Sequence, residues 1–572
     1  MQSKRSGFNV KPLVASLQRH RWVPLYLVAL GMSAGQLQAA EANATDDSAA
    51  PTTQLQRVEV TGSAIRRVDA ETAVPITILN IEQLRNEGVT TTAQILQRVT
   101  GNQSTINAAS SVGSSSGGAS FADMRGIGSN KTLVLLNGRR LGNNAIDGSA
   151  VDINTIPFAA IDRVEILRDG ASALYGTDAI GGVINFITKK SLTDGTLTLG
   201  GEAPGHSGGG NSHDLNASWG YGDLEQDRFN VFGVIGYNKQ DSLKATDRSF
   251  SKSYVPGRGL DQTSGVSYPA NYSQNGVTTN PLSASNCDGP NLVARQGVCR
   301  YNTRTYLDLL PETEKTSFFG RATGKITDDD NVNLEYFWAR NNNSVNIAPA
   351  NLVGVTLDPT SPYFPGNGIT PGSTSASFDP SQPVGLNWRE TAAGGRSTKD
   401  QNTSQRVVLS FDGVAKGWDY NLGASYNQNQ VTESLTGGFV SDSAMLDGIA
   451  NGIINPFGPQ SAAGQRLIDA SQYRGQYISS VGRVSGIDGR ASREVGDWFG
   501  AGPAGLAIGG EYRHEAYQQS YAAFADDLAS LGVDPNARVS ADRNVKAVYT
   551  ELNVPVLDTL ELSAAVRHDK YS

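Results

Sequence analysis

The 572-residue chain lacks the features that mark a helical membrane protein, a metalloprotein or a nucleic-acid-binding protein. Apolar residues make up 38% of it, and no apolar run reaches the roughly 20 residues that a membrane-spanning helix needs. Its five histidines form no ligand pair at helical or strand spacing, so no metal site is predicted. The net charge of −8 argues against nucleic acid as a main partner.

The longest apolar stretch lies at the N-terminus. Five basic residues precede WVPLYLVALGM (Trp22–Met32), and small residues follow it. This order predicts a secretory signal peptide over residues 1–42, with cleavage after Ala39 or Ala42. The alternative is an uncleaved membrane anchor, which would need a longer apolar stretch.

Cysteine is also scarce: Cys287 and Cys299 are the only two, both within the loop-like stretch CDGPNLVARQGVC. In the oxidising compartment that the signal peptide implies, two such residues are expected to form one disulfide that closes a short loop. A metal site is the alternative, but the sequence places no histidine or further cysteine nearby.

Glycine and tyrosine, by contrast, are abundant. The chain has 64 glycines, and its 20 tyrosines outnumber its 17 phenylalanines. This composition is typical of an antiparallel β protein with many turns, and tyrosine-rich strands also suit a membrane barrel with aromatic girdles.

A polar linker occupies residues 43–65 and ends in the stretch RVEVTGS (Arg57–Ser63). The β-branched alternation of this stretch predicts a strand, yet the residues before it indicate disorder and offer nothing for a strand to pair with.

Residues 66–190 combine helical and strand signals and are predicted to form a small α+β domain. Two helices are expected, one capped by Asn80 and one over Thr91–Val99 with a threonine cap. Asn137-Gly138 is a strong two-residue hairpin signal within TLVLLNGRRL. The remaining predicted strands are Pro75–Asn80, Arg163–Asp169 and Gly182–Lys190.

From residue 191 to 572 the pattern changes to amphipathic strands between long polar loops. In NVNLEYFWARNN, for example, Leu334 and Tyr336 share one face while Asn333 and Glu335 share the other. A soluble sandwich would also alternate. Long strands, short turns that alternate with very long loops, and charges on the second face favour a transmembrane β-barrel instead.

The runs MRGIGSNKTLVLLNGRRL (Met124–Leu141) and VDINTIPFAAIDRVEILRDGASALYGTDAIGGVINFITKK (Val151–Lys190) closely resemble the plug domain of TonB-dependent outer-membrane receptors. The earlier run PITILNIEQLRNEGVTTTAQILQRVTGN also resembles it, so the resemblance covers essentially all of residues 66–190. Over the following strands it rests on architecture and on the stretch AIGGEYRHE. The resemblance implies an outer-membrane protein in which a plug fills a β-barrel.

The resemblance also implies a role for the strand predicted in RVEVTGS, which has no partner nearby. In this family a segment ahead of the plug, the TonB box, pairs with TonB by β-strand addition. RVEVTGS resembles that box in position and in its Val-x-Val-Thr core; the alternative is an edge strand of the plug. The TonB-binding residues that this implies are Arg57, Val58, Glu59, Val60, Thr61 and Gly62.

A second set of residues is expected to hold the plug in the barrel. On the plug, Arg125-Gly126 matches the family's Arg-Gly motif, and Arg163, Glu165 and Arg168 match its R-V-E-x-x-[RK] strand. Their expected partners on the barrel strands, from inward-facing parity, are Glu335, Glu511 and Glu551. The alternative is that these are charges on a solvated sheet face.

The function that the resemblance implies is active import of a scarce substrate: an iron–siderophore complex, cobalamin or an oligosaccharide. TonB, energised by the proton gradient through ExbB and ExbD, would pull on the box. The sequence shows no catalytic constellation, so we expect neither an enzyme nor a cofactor, and the other partners are outer-membrane lipid and the substrate.

About eleven strand candidates follow the plug, against the roughly 22 strands of plugged transporters. An odd, half-sized set could not enclose a plug of about 125 residues, so the sequence predicts the front part of a longer receptor. The alternative is a short product, a non-transporting outer-membrane binding or signalling protein.

Overall fold

The computed structural model describes residues 61–65, 76–104, 118–169, 172–528 and 539–572. Within them the chain forms a small α+β domain, the plug, followed by a large antiparallel sheet, in the order that the sequence predicts. The predicted signal peptide and the stretch Arg57–Val60 lie outside the described residues.

The plug contains five strands, three short helices and single 3-10 turns. Its strands are β1 (Ile76–Asn80), β2 (Thr132–Leu136), β3 (Arg139–Arg140), β4 (Ile161–Leu167) and β5 (Gly182–Thr188). Its helices are α1 (Ile81–Asn86), α2 (Thr92–Leu96) and α3 (Ser172–Tyr175). The 3-10 turns are Ser129–Lys131, Ile153–Thr155, Phe158–Ala160 and Thr177–Ala179.

Local sequence signals explain where these elements begin and turn. The Asn80 side chain caps α1 by accepting from the backbone of Glu82 and Gln83, and Thr91 forms a capping box with Gln94 at α2. Asn137 and Gly138 both have positive φ, as the predicted two-residue hairpin between β2 and β3 requires.

The plug sheet has the order β1-β4-β5-β2-β3, and only the pairing of β5 with β2 is parallel. Both of its faces are buried, because Val134 and Ile184 pack on one side while Leu133 and Val183 pack on the other.

Eleven strands form the large sheet, each paired antiparallel with the next one along the chain. They are β6 (Gly195–Glu202), β7 (Ser212–Tyr221), β8 (Phe229–Gln240), β9 (Glu312–Lys325), β10 (Asn331–Ile347), β11 (Arg396–Ala415), β12 (Trp418–Gly437), β13 (Gly475–Glu494), β14 (Gly505–Tyr521), β15 (Val539–Leu557) and β16 (Leu560–Tyr571). The number of strands agrees with the eleven candidates in the sequence. Within the described residues β6 and β16 are the two edges and do not pair with each other, so the sheet is not closed.

The two faces of the large sheet differ as the alternation predicts. On β10, Leu334 and Tyr336 are exposed on the outer face, whereas Asn333, Glu335 and Phe337 are buried on the inner face. The plug packs against this inner face and shares one apolar core with it. Apolar residues toward lipid and polar ones inward are the arrangement of a transmembrane β-barrel wall.

One end of the large sheet has short connections and the other has long ones. We call these the short-turn end, where Lys416-Gly417 joins β11 to β12, and the loop end, where most of the long connections lie. On the outer face at the short-turn end, Trp219 stacks on Tyr221, whose ring also contacts Phe229, as in an aromatic girdle.

Three long connections at the loop end fold together instead of remaining irregular polar loops. Strands Asn271–Gln274, Val277–Thr279, Asn351–Leu357 and Val384–Arg389 form a four-stranded sheet, and helices α4 (Asp442–Ala450) and α5 (Ala462–Ala470) contribute to the same core. We call this unit the loop domain. Its largest fully buried side chain is Trp388.

The remaining short strands of the loops are Leu243–Lys244, Tyr254–Val255, Leu260–Asp261, Leu292–Arg295, Val298–Tyr301 and Asp308–Leu310. A disulfide joins Cys287 to Cys299 across this region. None of the helices in the described part of the chain combines the length and the apolar character needed to cross a bilayer.

Candidate functional site

The segment Thr61–Ile65, which we call the strap, lies between the plug and the large sheet. On the plug side, the backbone N–H and the hydroxyl of Thr61 both donate to Glu165 Oε2, at 3.0 and 2.6 Å. The Asn185 side chain donates to the same hydroxyl at 2.8 Å. Glu165 is only 2% exposed, so its carboxylate depends on these partners and on Arg163, whose guanidinium lies 2.8 Å away.

The next residues of the strap are held by the large sheet. The Ser63 hydroxyl donates to Glu551 Oε1 at 2.8 Å, and the backbone N–H of Ala64 donates to Oε2 at 2.6 Å. Ala64 and Ile65 also pack against Ala507 of β14. Two buried carboxylates on two different domains therefore hold one five-residue segment.

Gly62 is required by the path of the strap between these carboxylates. Its φ is +101°, a conformation that other residues rarely adopt, and an added Cβ would lie 2.9 Å from the Leu167 side chain. Its N–H donates to the Tyr175 hydroxyl at 3.3 Å.

The predicted TonB-binding residues are described only in part. Arg57, Val58, Glu59 and Val60 lie outside the described residues, whereas Thr61 and Gly62 form a turn in the strap. The sequence places the strap in a disordered linker, but Thr61, Ser63, Ala64 and Ile65 are buried. The difference arises because their partners, Glu165 and Glu551, are distant in sequence.

Glu335 forms the centre of a second contact between the plug and the large sheet. The side-chain amide of Asn137, in the plug hairpin, donates to both carboxylate oxygens at 3.0 and 3.1 Å. Arg321 and Arg406, on β9 and β11, lie 3.3 and 3.6 Å from the same carboxylate. Arg406 also donates to the backbone carbonyl of Leu136 at 3.2 Å.

The two arginines that follow the hairpin turn make further contacts with the large sheet. Arg139 lies 2.9 Å from Asp488 of β13 and donates to the Asn421 side chain at 2.5 Å. Arg140 pairs with Asp178 of the plug at 2.6 Å and lies 3.8 Å from Glu511 of β14.

Glu511 is joined to the plug a second time through Arg567 of β16. The Arg567 guanidinium lies 3.1 Å from Glu511 and donates to the backbone carbonyl of Leu174, in α3, at 2.7 Å. Arg513 lies 2.9 Å from the same carboxylate. The inward-facing Glu335, Glu511 and Glu551 thus all lie at the contact between the domains.

Of the plug residues that the sequence assigned to this contact, the arginines make their hydrogen bonds and ion pairs inside the plug, whereas Glu165 also binds the strap. Arg125 contacts Asp169 and the backbone carbonyl of Arg168, and Arg163 contacts Asp162 as well as Glu165. Arg168 donates to the Thr77 hydroxyl at 3.2 Å. Gly126, next to Arg125, has a φ of +67° and lies in a turn beside Gln103.

Sequence reasoning missed Arg139 and Arg140 as partners of the sheet. A signal was present, since two consecutive arginines follow the tight Asn137-Gly138 turn, which projects from the edge of the plug sheet. The pattern does not reveal their partners, because Asp488 and Asn421 lie hundreds of residues away along the chain.

A further polar contact ties the plug to the large sheet near the loop end. Asp152 accepts from Ser120 and Asn154 of the plug through Oδ1, and from Asn402 of β11 through Oδ2 at 2.7 Å. Burial raises the pKa of the Asp152 carboxyl, and these hydrogen bonds oppose the shift. Lys315 of β9 donates to the Asn154 side chain at 2.7 Å.

Between these contacts lies a cavity of about 460 Å³. It is lined by the plug segment from Asn130 to Val151 and by the inner face of β13, β14 and β15. Charged side chains at its border include Arg140, Asp178, Glu515 and Arg543. No group of three or more His, Cys, Asp or Glu residues suited to a metal ion occurs in the described part of the chain.

Two protein-family descriptions match the chain. The TonB-dependent receptor plug domain matches residues 68–183, and the TonB-dependent receptor-like β-barrel matches residues 319–572.

Curated relatives include the vitamin B12 transporter BtuB of Vibrio cholerae, which is 34% identical over 147 residues. This match covers 26% of the chain and 23% of the transporter. The vitamin B12 transporter BtuB of Photobacterium profundum is 31% identical over 202 residues, covering 34% of the chain and 31% of the transporter.

Among solved structures, a ferric enterobactin receptor (PfeA) of Pseudomonas aeruginosa superposes with a TM-score of 0.52 at 14% identity, covering 87% of this chain and 58% of that one. The siderophore receptor PirA of Acinetobacter baumannii gives a TM-score of 0.50 at 16% identity, covering 87% and 56%. The chain therefore spans less than two thirds of the length of these relatives and structures. With both of its domains matched in family order, the chain belongs to the TonB-dependent receptors, β-barrel proteins of the bacterial outer membrane.

Proposed function

We propose that the protein imports a scarce small molecule across the outer membrane in a TonB-dependent manner. The observation that carries this proposal is the strap, which overlaps the end of the proposed TonB box at Thr61 and Gly62. It is bound to the plug through Glu165 and to the large sheet through Glu551. TonB, with ExbB and ExbD and the proton gradient, is the proposed partner that pulls on residues 57–62.

Tension applied ahead of Thr61 would reach the Thr61–Glu165 hydrogen bonds first and the Glu551 contacts next. Each buried group left without its partner costs about 1–3 kcal/mol, so the strap is expected to stay closed in the absence of force. Because Glu165 lies on β4, which pairs with β1 and β5 of the plug sheet, its release would loosen the plug next to the strap.

The proposed substrate is an iron–siderophore complex, cobalamin or an oligosaccharide, bound at the loop end. The names of the relatives, a vitamin B12 transporter and a ferric enterobactin receptor, support the first two classes. The protein would not alter the substrate chemically, and the described residues hold no metal-ligand cluster.

The test is uptake of labelled vitamin B12, a panel of labelled ferric siderophores and labelled oligosaccharides by cells whose own receptors for them are deleted. We expect one of them to accumulate only in energised cells that contain TonB. Val60→Pro should abolish accumulation and leave ligand binding unchanged, because proline removes a backbone donor from the added strand. Val60→Ala, which keeps that donor, is the matched control. Uptake by Val60→Pro at the wild-type rate would remove residues 57–62 from the mechanism.

A second candidate is a non-transporting outer-membrane binding or signalling protein. Ligand binding to whole cells without any energy-dependent accumulation would support this function over import.

A further inference from the structure

Two acidic side chains face each other on the inner face of the large sheet, at the loop end. Asp400 of β11 and Glu433 of β12 are directly opposite in the register, and they are 3% and 8% exposed. Like charges in this position destabilise a sheet unless a cation or a bound proton compensates them. No Lys or Arg of the described residues interacts with either carboxylate; Asp400 has only a long hydrogen bond from the Asn343 side chain, at 3.4 Å.

A β-bulge adds a third polar group to this pair. The register shifts between Glu433 and Ser434, which pair with Ile478 and Gln476, so Tyr477 is the extra residue on β13. Bulges redirect a side chain, and here Tyr477 and Ile478 are both buried although they are consecutive. The Tyr477 side chain is 3% exposed and interacts electrostatically with Glu433.

Among the described residues, three buried acceptor atoms of these side chains have no hydrogen-bond partner: Asp400 Oδ1, Glu433 Oε2 and the Tyr477 hydroxyl oxygen. A primary ammonium group has three N–H donors and one positive charge, which matches this set. A calcium-type cation would require six to eight oxygens. The aromatic ring of Tyr477 packs on that of Tyr521 at 5.8 Å, and such faces also attract cations.

The position of the three side chains indicates which molecule would supply the ammonium group. Asn402, two residues from Asp400 on the same face, contacts Asp152 of the plug, and an added Cβ on Gly118 of the plug would lie within 2.6 Å of Asn343. The site therefore borders the plug at the loop end, the end at which the proposed substrate binds.

We propose that Asp400, Glu433 and Tyr477 bind a primary ammonium group of the transported ligand. This inference rests on the proposed import function and narrows its substrate to molecules that carry a primary amine.

The test is calorimetric titration of the purified full chain in detergent with n-butylammonium chloride. Two comparison probes are tetramethylammonium, which has the same charge but no N–H, and calcium chloride. The variants are Asp400→Asn, Glu433→Gln and the double variant, which keep the shape of each side chain. Asp447→Asn, on an exposed position of α4, is the control. The circular dichroism spectrum of each variant must match that of the wild type.

We expect n-butylammonium to bind the wild type and the control equally. Either single substitution should raise the Kd at least about tenfold, and the double variant should show no binding, because each removes a charge-assisted hydrogen bond. Tetramethylammonium should bind at least about tenfold more weakly.

Three results would overturn the site. The first is no binding of n-butylammonium to the wild type, and the second is equal binding of n-butylammonium to the wild type and the double variant. The third is binding of calcium to the wild type, the control and the single variants but not to the double variant. Because the titration needs neither TonB nor an energised membrane, it separates this proposal from the import function. Ammonium binding by a protein that fails to accumulate substrate would contradict import and leave the site standing.

Discussion

At the scale of single residues, Glu551 holds the strap to the large sheet through two hydrogen bonds, from the Ser63 hydroxyl and the Ala64 N–H. Glu551→Ala leaves that N–H buried without an acceptor, which costs about 1–3 kcal/mol. We therefore expect amide hydrogen exchange over residues 61–65 to accelerate about tenfold to a hundredfold, measured by mass spectrometry. Asp558→Asn, in the exposed turn at the end of the same strand, is the control; equal exchange in both variants would show that Glu551 does not hold the strap.

The same scale shows what the sequence can and cannot predict about the site. Two-residue alternation correctly predicts that Glu335 faces inward, because the period of a strand fixes the face of each residue. It does not reveal the partner, since Asn137 lies 198 residues away. A family motif has the same limit. It includes Glu165, but it does not reveal that this carboxylate binds the strap and not a residue of the large sheet.

At the scale of elements, the loop domain contains a buried carboxyl whose charge opposes folding. Glu390 follows the strand Val384–Arg389 and is 1% exposed. Burial and, to a smaller extent, the charge of Asp442 raise its pKa to about 8, and Arg396 opposes the shift. Because the folded pKa is above the unfolded value, Glu390 binds its proton more tightly in the folded state. Its stabilising contribution is complete below about pH 4.5 and is lost as the pH rises to about 8.

We expect the stability of the loop domain to fall with rising pH in this window, with a limiting slope of about 1.4 kcal/mol per pH unit. Glu390→Gln should remove the slope and melt at a higher temperature than the wild type at pH 8. The measurement is the melting temperature of the wild type, Glu390→Gln and the control Asp447→Asn between pH 5 and 9. Parallel pH profiles for all three proteins would contradict a buried, titrating Glu390.

The loop domain is also the element that sequence patterns failed to predict. The long strands β11 and β12 were predictable because alternation persists over 20 residues in each and a Lys416-Gly417 turn joins them. The loop-domain core draws Tyr272, Trp388 and Met445 from three separate connections, each with too few apolar residues to form a local period. Its folding depends on contacts between segments more than 50 residues apart, which no window of the sequence displays.

At the scale of the whole molecule, the sequence predicts a plug followed by a sheet of eleven strands, but it does not predict the contact between these two domains. The plug core continues into the inner face of the large sheet through Phe232, Phe319 and Phe337, so the two domains are packed as one hydrophobic unit. Alternation marks these phenylalanines as inward-facing but gives no sign that a second domain covers them. Any release of the plug would therefore have to break an apolar contact as well as its ion pairs.

Import as proposed requires the strap to leave the large sheet, and a reversible cross-link tests this directly. An ideal Cβ on Gly505 of β14 lies 3.0 Å from the Ile65 side chain, so Ile65→Cys with Gly505→Cys places two thiols in contact. We expect the oxidised double variant to bind ligand normally and to accumulate none, with accumulation restored by dithiothreitol. Each single variant and the wild type, whose Cys287–Cys299 disulfide meets the same reductant, are the controls. Undiminished accumulation by the cross-linked protein would mean that substrate passes while the strap stays on the sheet, and the pulling mechanism would have to act elsewhere.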